Sequence, residues 1–438
     1  MNQQTRQVPG ADPATEAVTG MDEIWIQGGR RLSGTVAVSG SKNATLPVLT
    51  ATLLAPGVYK FKNVPTLKDI ATMLELLTLF GVKSRREADH TLVVDSRDAR
   101  NAEAPYELVK TMRASVYVLG PLLARFGEAR VSLPGGCAWG PRPVDLHIRG
   151  MQSLGADVEL DHGMIVARAS ALHGNVVSFD ISSVGATGNI LMAAATAAGE
   201  TVIENAACEP EIQALGDFLV AMGARIEGLG SPRIVVRGSR ELHAADAPMI
   251  PDRIEAGTFL AAAAITGGDV ETTQVTPAHL GSILNKLEAA GASVEVGDAS
   301  VRVRAPERLL PLSVTTAPYP GFPTDMQAQF MAMLSVASGA STIVDTIYHD
   351  RFTHVAELQR LGADIRVEGN TALVQGVESL SGAPVMATDL RASAALILAG
   401  LVAHGETRVS RIYHLDRGYE RIEEKLLGLG AAIRRVRA

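Results

Sequence analysis

Six times along this chain, at intervals of about seventy residues, a short polar signature opens a stretch of small apolar residues. The openings are Ser41-Lys42-Asn43-Ala44, Met112-Arg113-Ala114-Ser115, Ser183-Val184-Gly185-Ala186, Arg253-Ile254-Glu255-Ala256, Asp325-Met326-Gln327-Ala328 and Leu390-Arg391-Ala392-Ser393. Each stretch is apolar on every side, as in Ala392-Ser393-Ala394-Ala395-Leu396-Ile397-Leu398-Ala399. A helix apolar all round is a buried helix. Six buried helices are therefore expected to begin with charged or hydroxyl residues. Helix starts carry unpaired N–H groups and partial positive charge, so they favour anions.

The rest of the unit repeats as well. A Gly turn and short strand follow, as in Gly127-Glu128-Ala129-Arg130-Val131-Ser132-Leu133 and Gly405-Glu406-Thr407-Arg408-Val409. An amphipathic helix comes next, such as Glu211 to Gly223, with apolar residues at helical spacing. It closes on a Gly suited to a left-handed cap: Gly81, Gly155, Gly223, Gly291, Gly362 and Gly430. A strand pair ends the unit, for example Asp157-Val158-Glu159-Leu160 and Met164-Ile165-Val166-Ala167-Arg168. The order is helix, strand, helix, strand, strand. Three units plus three predict two similar α/β domains, with buried helices inside and sheets and amphipathic helices outside. The bland alternative is that Gly-Ala after a helix is common punctuation.

Composition narrows the partners. The 438 residues suit two or three domains. Aromatics are only 4% against 47% hydrophobic residues, and net charge is −7 without a Lys/Arg block. A general nucleic-acid or anionic-membrane surface is thus not expected, and any anion site must gather its positive charge locally. Two cysteines, Cys137 and Cys208, make no disulfide framework, so a reducing compartment is expected. Residues 1–20 are polar, without a signal-peptide core, and read as a disordered arm. Apolar runs are too short to span a bilayer, so the expected location is cytoplasmic. The ten His form no ligand-spaced cluster. No dinucleotide or P-loop fingerprint stands out, so neither metal nor cofactor is expected.

The segment Leu133 to His147 holds three Gly, three Pro, Cys137, Trp139 and Arg142. It reads as neither helix nor central strand, but as a moving functional loop. A thiol beside Arg142 would have a lowered pKa. An isolated cysteine can equally be a small buried hydrophobe, which is the reading for Cys208.

From about Asp22 to Arg437 the chain resembles the UDP-N-acetylglucosamine 1-carboxyvinyltransferase family of enolpyruvyl transferases. The motifs are Gly40-Ser41-Lys42-Asn43-Ala44; Met112-Arg113-Ala114-Ser115; Pro134-Gly135-Gly136-Cys137 through Arg142-Pro143-Val144-Asp145-Leu146-His147; Phe322 to Gln329; Ala387 to Ser393; and Asp416-Arg417-Gly418-Tyr419-Glu420-Arg421. The resemblance implies two pseudo-symmetric inside-out α/β domains with a cleft between them. One would run from 43 to 251 and carry the Cys137 loop; the other would join 21–42 to 252–438. It also implies transfer of an enolpyruvyl group from phosphoenolpyruvate to the 3-hydroxyl of UDP-N-acetylglucosamine, opening peptidoglycan precursor synthesis. Phosphate would leave through a tetrahedral intermediate.

Roles follow from the same resemblance. Cys137 matches the general acid, which a fosfomycin-type epoxide would alkylate. Asp325 matches the base for the sugar hydroxyl; a plain N-cap is its alternative reading. Lys42, Arg142 and Arg417 match a phosphoenolpyruvate clamp, since Arg forks grip carboxylate and phosphate. Arg391 would orient the site, paired with Asp389, or form only a structural ion pair with it. Asn43 matches a contact shared by both substrates. Arg113, the run Arg142, Pro143, Val144, Asp145 and Leu146, and Ser183, Val184 and Gly185 match the nucleotide-sugar side. Ile347 and Arg351 match positions facing the sugar and the domain interface. His147 and His414 read as structural.

There are departures. Ile181 stands where many relatives carry Lys, and Trp139 and Pro141 stiffen the loop. Competing readings are a shikimate-3-phosphate enolpyruvyl transferase, an RNA-binding protein on related repeats, and a catalytically silent paralogue. The Cys loop opposes the first, net acidity the second, and retention of the reacting groups the third.

Overall fold

The computed structural model describes residues 22–134, 144–348 and 350–437. Six core helices lie at the expected places: Lys42–Ala51, Leu119–Phe126, Val184–Ala194, Arg253–Ile265, Gln327–Leu334 and Leu390–Val402. Most of their residues are buried, and all eight of Gln327–Leu334 are. Side chains cap four of these helices. Ser41 accepts from the Ala44 N–H, and Ser183 from Ala186. Asp252 accepts from Ile254 and Glu255, and Asp389 from Arg391 and Ala392. The other two are entered through 3-10 turns, Arg113–Val118 and Thr324–Met326, with no side-chain cap. Asp325 lies inside its turn, whose N-cap is Pro323, so the N-cap alternative for Asp325 does not hold.

The six glycines that close the outer helices all have left-handed φ, from 82° at Gly81 to 104° at Gly223. Side-chain-bearing residues are disfavoured there. At Gly81 a Cβ would also meet the Asp98 carbonyl oxygen at 2.6 Å.

Each unit contributes to a four-stranded sheet, and there are six such sheets among the described residues. Glu200–Glu204 shows the pattern. It pairs antiparallel with Arg233–Arg237, beyond which lies Arg225–Glu227, and parallel with Val176–Ser178. That parallel edge strand was not foreseen. In some units it is only two residues long, as at Glu103–Ala104 and Ala247–Pro248. Unit six differs. There the N-terminal strand Glu23–Gln27 sits between Glu406–Ser410 and Ala432–Val436, antiparallel to both.

The buried hydrophobics form two clusters. One runs from Leu46 to Met249. The other joins Ile24 to Val38 with Ile254 to Ile433. The lobes built on them are called lobe one and lobe two below. Two chain segments cross between them side by side: Ser41 N–H donates to the Ile250 carbonyl at 2.7 Å, and Asp252 N–H to Ser39 at 2.9 Å.

One expectation needs correcting. Asp145, Leu146 and His147, read as part of a non-helical loop, open the helix Asp145–Ser153. Only 133, 134 and 144 remain as described loop residues of that segment; Cys137, Trp139, Pro141, Arg142 and Pro143 lie outside the described residues. Among the described residues no helix is long and apolar enough to cross a membrane.

Candidate active site

Helix starts and two 3-10 turns place the charged side chains where the lobes meet. Lys42 is the first residue of its core helix, held there by the Ser41 cap. Its backbone N–H lies 3.4 Å from the Asp252 carboxylate, which also caps the Arg253–Ile265 helix of lobe two. Its ammonium is 3.2 Å from Asp69, in the first turn of the outer helix Lys68–Leu79. The other Asp69 oxygen accepts from Arg417 Nε at 2.8 Å. Arg417 comes from the lobe-two turn Ile412–Arg417.

Asp325 anchors the second half. Its two oxygens meet Arg391 and Arg351, each at 2.9 Å. Both guanidinium groups are buried. Arg351 also donates to Thr324 Oγ1 at 2.8 Å, and Thr324 to Asp345 at 2.7 Å. Asp345 accepts in turn from the Ile347 N–H at 3.0 Å. Arg391 lies over the buried Tyr419 ring, 5.4 Å from its centroid. The expected Arg391–Asp389 side-chain pair is not the arrangement found. Asp389 spends its carboxylate on the Arg391 and Ala392 backbone N–H groups, and the guanidinium turns to Asp325.

Burial and charge act against each other here. Burial raises the Asp325 pKa, but Arg391, Arg351 and Lys42 outweigh it and hold the carboxyl well below its usual range. Asp69 is likewise lowered, because Lys42 and Arg417 overcome its burial. Lys42 goes the other way. Burial, then Arg391 and Arg417, lower its pKa; Asp69 and Asp325 oppose them. The carboxylate has two cations beside it, while the ammonium is desolvated and faces two guanidinium groups. Four cations surround two carboxylates, and the nearby acids Asp252 and Asp389 are occupied as caps. This is a region prepared for anions.

A second cluster joins the residues matched to a nucleotide sugar. Asn189, on the core helix opened by Ser183, Val184 and Gly185, donates to the Val116 carbonyl at 2.8 Å. The same amide nitrogen lies 3.0 Å from His147 Nδ1, so that ring nitrogen is the acceptor. The Asn189 oxygen accepts from Gly120 N–H at 2.6 Å. Asn189 thus ties together the turn opened by Arg113, the helix opened by Asp145 and Leu146, and the Ser183 start. Burial, with Arg113 adding to it, lowers the His147 pKa to about 4, so the ring is neutral. A Cβ on Gly185 would come within 3.2 Å of the His147 ring, a tight contact that the ring would have to relieve by a few tenths of an ångström. Asp145 pairs with Arg149 at 2.6 Å, and Val144 stands at the N-cap of the helix.

Asn43 is half-buried beside Lys42. Cys208 is half-buried, with its thiol pKa raised by burial, and lies on the lobe-one side near Glu209. Arg253 reaches back to lobe one, its Nε 3.0 Å from Glu211. The residue that sequence reasoning missed is Asp69. An acid in the first turn of an amphipathic helix reads as dipole compensation. In the folded chain it is buried along with its neighbours Leu67 and Ile70.

Residues 26–426 match the family described as EPSP synthase (3-phosphoshikimate 1-carboxyvinyltransferase). The chain is 56% identical over 416 residues to the UDP-N-acetylglucosamine 1-carboxyvinyltransferase of Geotalea daltonii, covering 95% of this chain and 100% of that protein. The same values hold for the enzyme of that name from Desulfosudis oleivorans. Among solved structures, the enolpyruvyl transferase NikO from Streptomyces tendae matches with a TM-score of 0.86 at 28% identity, over 96% of this chain and all of that one. EPSP synthase from Acinetobacter baumannii shares the fold, with a TM-score of 0.73 at 18% identity over 95% of this chain and all of that one. Six repeated units in two lobes, a cationic junction and these likenesses lead to one statement: the chain belongs to the UDP-N-acetylglucosamine 1-carboxyvinyltransferase family, within the wider EPSP synthase family.

Proposed function

We propose that this protein transfers the enolpyruvyl group of phosphoenolpyruvate to the 3-hydroxyl of UDP-N-acetylglucosamine, with release of phosphate. That reaction opens peptidoglycan precursor synthesis. The observation that carries the reading is the junction where Lys42, Arg417, Arg391 and Arg351 converge on Asp69 and Asp325. Both substrates are polyanions, and electrostatic clamping of developing charge is usually the largest catalytic contribution.

In the addition step the sugar oxygen bonds to C2 of phosphoenolpyruvate and a proton goes to C3. In the elimination the C2–O bond to phosphate breaks, C3 gives up a proton and the double bond returns. Lys42, Asn43, Arg142 and Arg417 hold phosphoenolpyruvate, and Cys137 delivers the proton to C3. Asp325 takes the sugar proton. Between two guanidinium groups its carboxylate is a weak base. Its basicity grows once substrate phosphate and carboxylate compete for those guanidinium groups. Arg113, Pro143, Val144, Asp145, Leu146, Ser183, Val184, Gly185 and Ile347 form the nucleotide-sugar side. The hydrogen bonds of Asn189 support that grouping.

The division into 43–251 and 21–42 plus 252–438 is supported by the two hydrophobic clusters. A cytoplasmic location suits substrates made inside the cell. The test is inorganic phosphate release from phosphoenolpyruvate. Release that depends on UDP-N-acetylglucosamine is expected; release only with shikimate 3-phosphate, or none, overturns the reading.

A further inference from the structure

We propose that Asp69 is a positioning residue for the phosphoenolpyruvate clamp, holding Lys42 and Arg417 at one point before substrate arrives. The inference rests on the function proposed above. Three parts of the molecule meet at this carboxylate. Asp69 belongs to a lobe-one outer helix, Lys42 to the start of a core helix at the lobe connection, and Arg417 to a lobe-two turn 348 residues away. The carboxylate is 4% exposed, and its oxygens are divided: Oδ2 lies 3.2 Å from Lys42 Nζ, and Oδ1 2.8 Å from Arg417 Nε.

Two cations brought together without that anion would repel each other and separate. With it they form a compact unit of net positive charge. Asp69 binds Arg417 through Nε, so the guanidinium keeps its outer nitrogens for bidentate contact with phosphate or carboxylate. Arg417 is also the most exposed of the three, at 32% of its side chain, and can meet a ligand without dismantling the pair. A structural ion pair alone explains this poorly. Burying charges costs desolvation that a hydrophobic substitute would avoid.

The arrangement has a titration signature. The charged groups around Lys42 are Asp69 and Asp325, which hold its proton, and Arg391 and Arg417, which oppose it along with burial. The Asp252 carboxylate meets its backbone N–H. Removing the Asp69 charge leaves the opposing influences in place, so Lys42 gives up its proton at lower pH.

The experiment is steady-state kinetics of Asp69→Asn beside the wild type. The expected result is a KM for phosphoenolpyruvate raised about tenfold or more, with the KM for UDP-N-acetylglucosamine within about twofold. The alkaline limb of kcat/KM moves to lower pH. Asp69→Glu keeps the charge, and its alkaline limb stays near that of the wild type. Unchanged kinetics and pH profile in Asp69→Asn overturn the inference. So does an equal loss for both substrates, or an Asp69→Glu limb displaced as far as that of Asp69→Asn. If the wild type releases no phosphate, the function has failed instead. Calorimetric binding of phosphoenolpyruvate alone then decides the inference: weaker binding to folded Asp69→Asn sustains it, equal binding overturns it.

Discussion

Core helices in this protein start in two ways. Four starts are capped by Ser41, Ser183, Asp252 and Asp389, which spend their side chains on backbone N–H groups. At three of them a cation comes one or two residues after the cap, as Lys42, Arg253 and Arg391 do; Ser183 is followed by Val184 and Gly185. The starts at Arg113 and Asp325 have no side-chain cap and enter through a 3-10 turn. At the second of these the acid is left free of any capping role, and Asp325 meets two guanidinium groups. One slot in the repeat therefore yields either a helix cap or a carboxylate held between two guanidinium groups. The local turn decides which.

The sharpest way to break this comparison is Asp325→Asn. A lost general base lowers rate by about 10²–10⁴-fold, and kcat by phosphate release should fall in that range. An unchanged kcat would mean that Asp325 is not the base.

The next effect is a pH dependence at the Arg113 start. Burial lowers the His147 pKa from the ordinary 6.5 to about 4 in the folded chain. The unfolded chain takes up the proton first, so stability is full above about pH 6.5 and declines as pH falls toward 4. The loss reaches roughly 3 kcal/mol at 1.36 kcal/mol per unit. Urea unfolding at pH 7 and pH 4 measures it, and His147→Gln should flatten that part of the dependence.

A capped start gives a smaller change. Asp389→Ala should cost about 1–2 kcal/mol in denaturant unfolding, the usual worth of a cap. The Arg391–Asp325 contact should survive, because Asp389 holds backbone and not the guanidinium. The smallest effect belongs to Ile181, which is 72% exposed two residues before the Ser183 cap. Ile181→Lys adds a cation near a helix start and should lower the KM for the nucleotide sugar about two- to fivefold, the scale of one exposed charge.

The core helices were legible because all-round apolarity needs no partner to interpret. The terminal glycines were legible because left-handed backbone selects them; all six have it. The edge strands were not, since Glu103–Ala104 is too short to alternate. The place of Glu23–Gln27 depends on residues some four hundred positions away. Within the site, Lys42, Asp325, Arg391 and Arg417 were named from motifs, but the partner of Arg391 was misread. Asp389 is two residues away in sequence, and Asp325 is near it only in the folded chain. Asp69 was silent for the same reason.

The place of Glu23–Gln27 between two strands from the far end of the chain sets an order on biosynthesis. Lobe one can finish its core once residue 251 or so has left the ribosome. Lobe two must keep its first strand waiting until Ala432–Val436 emerges, on the order of ten to forty seconds later at about 5–20 residues per second. During that interval the nascent protein carries one finished half and one open sheet edge, the state in which a chaperone has most to offer.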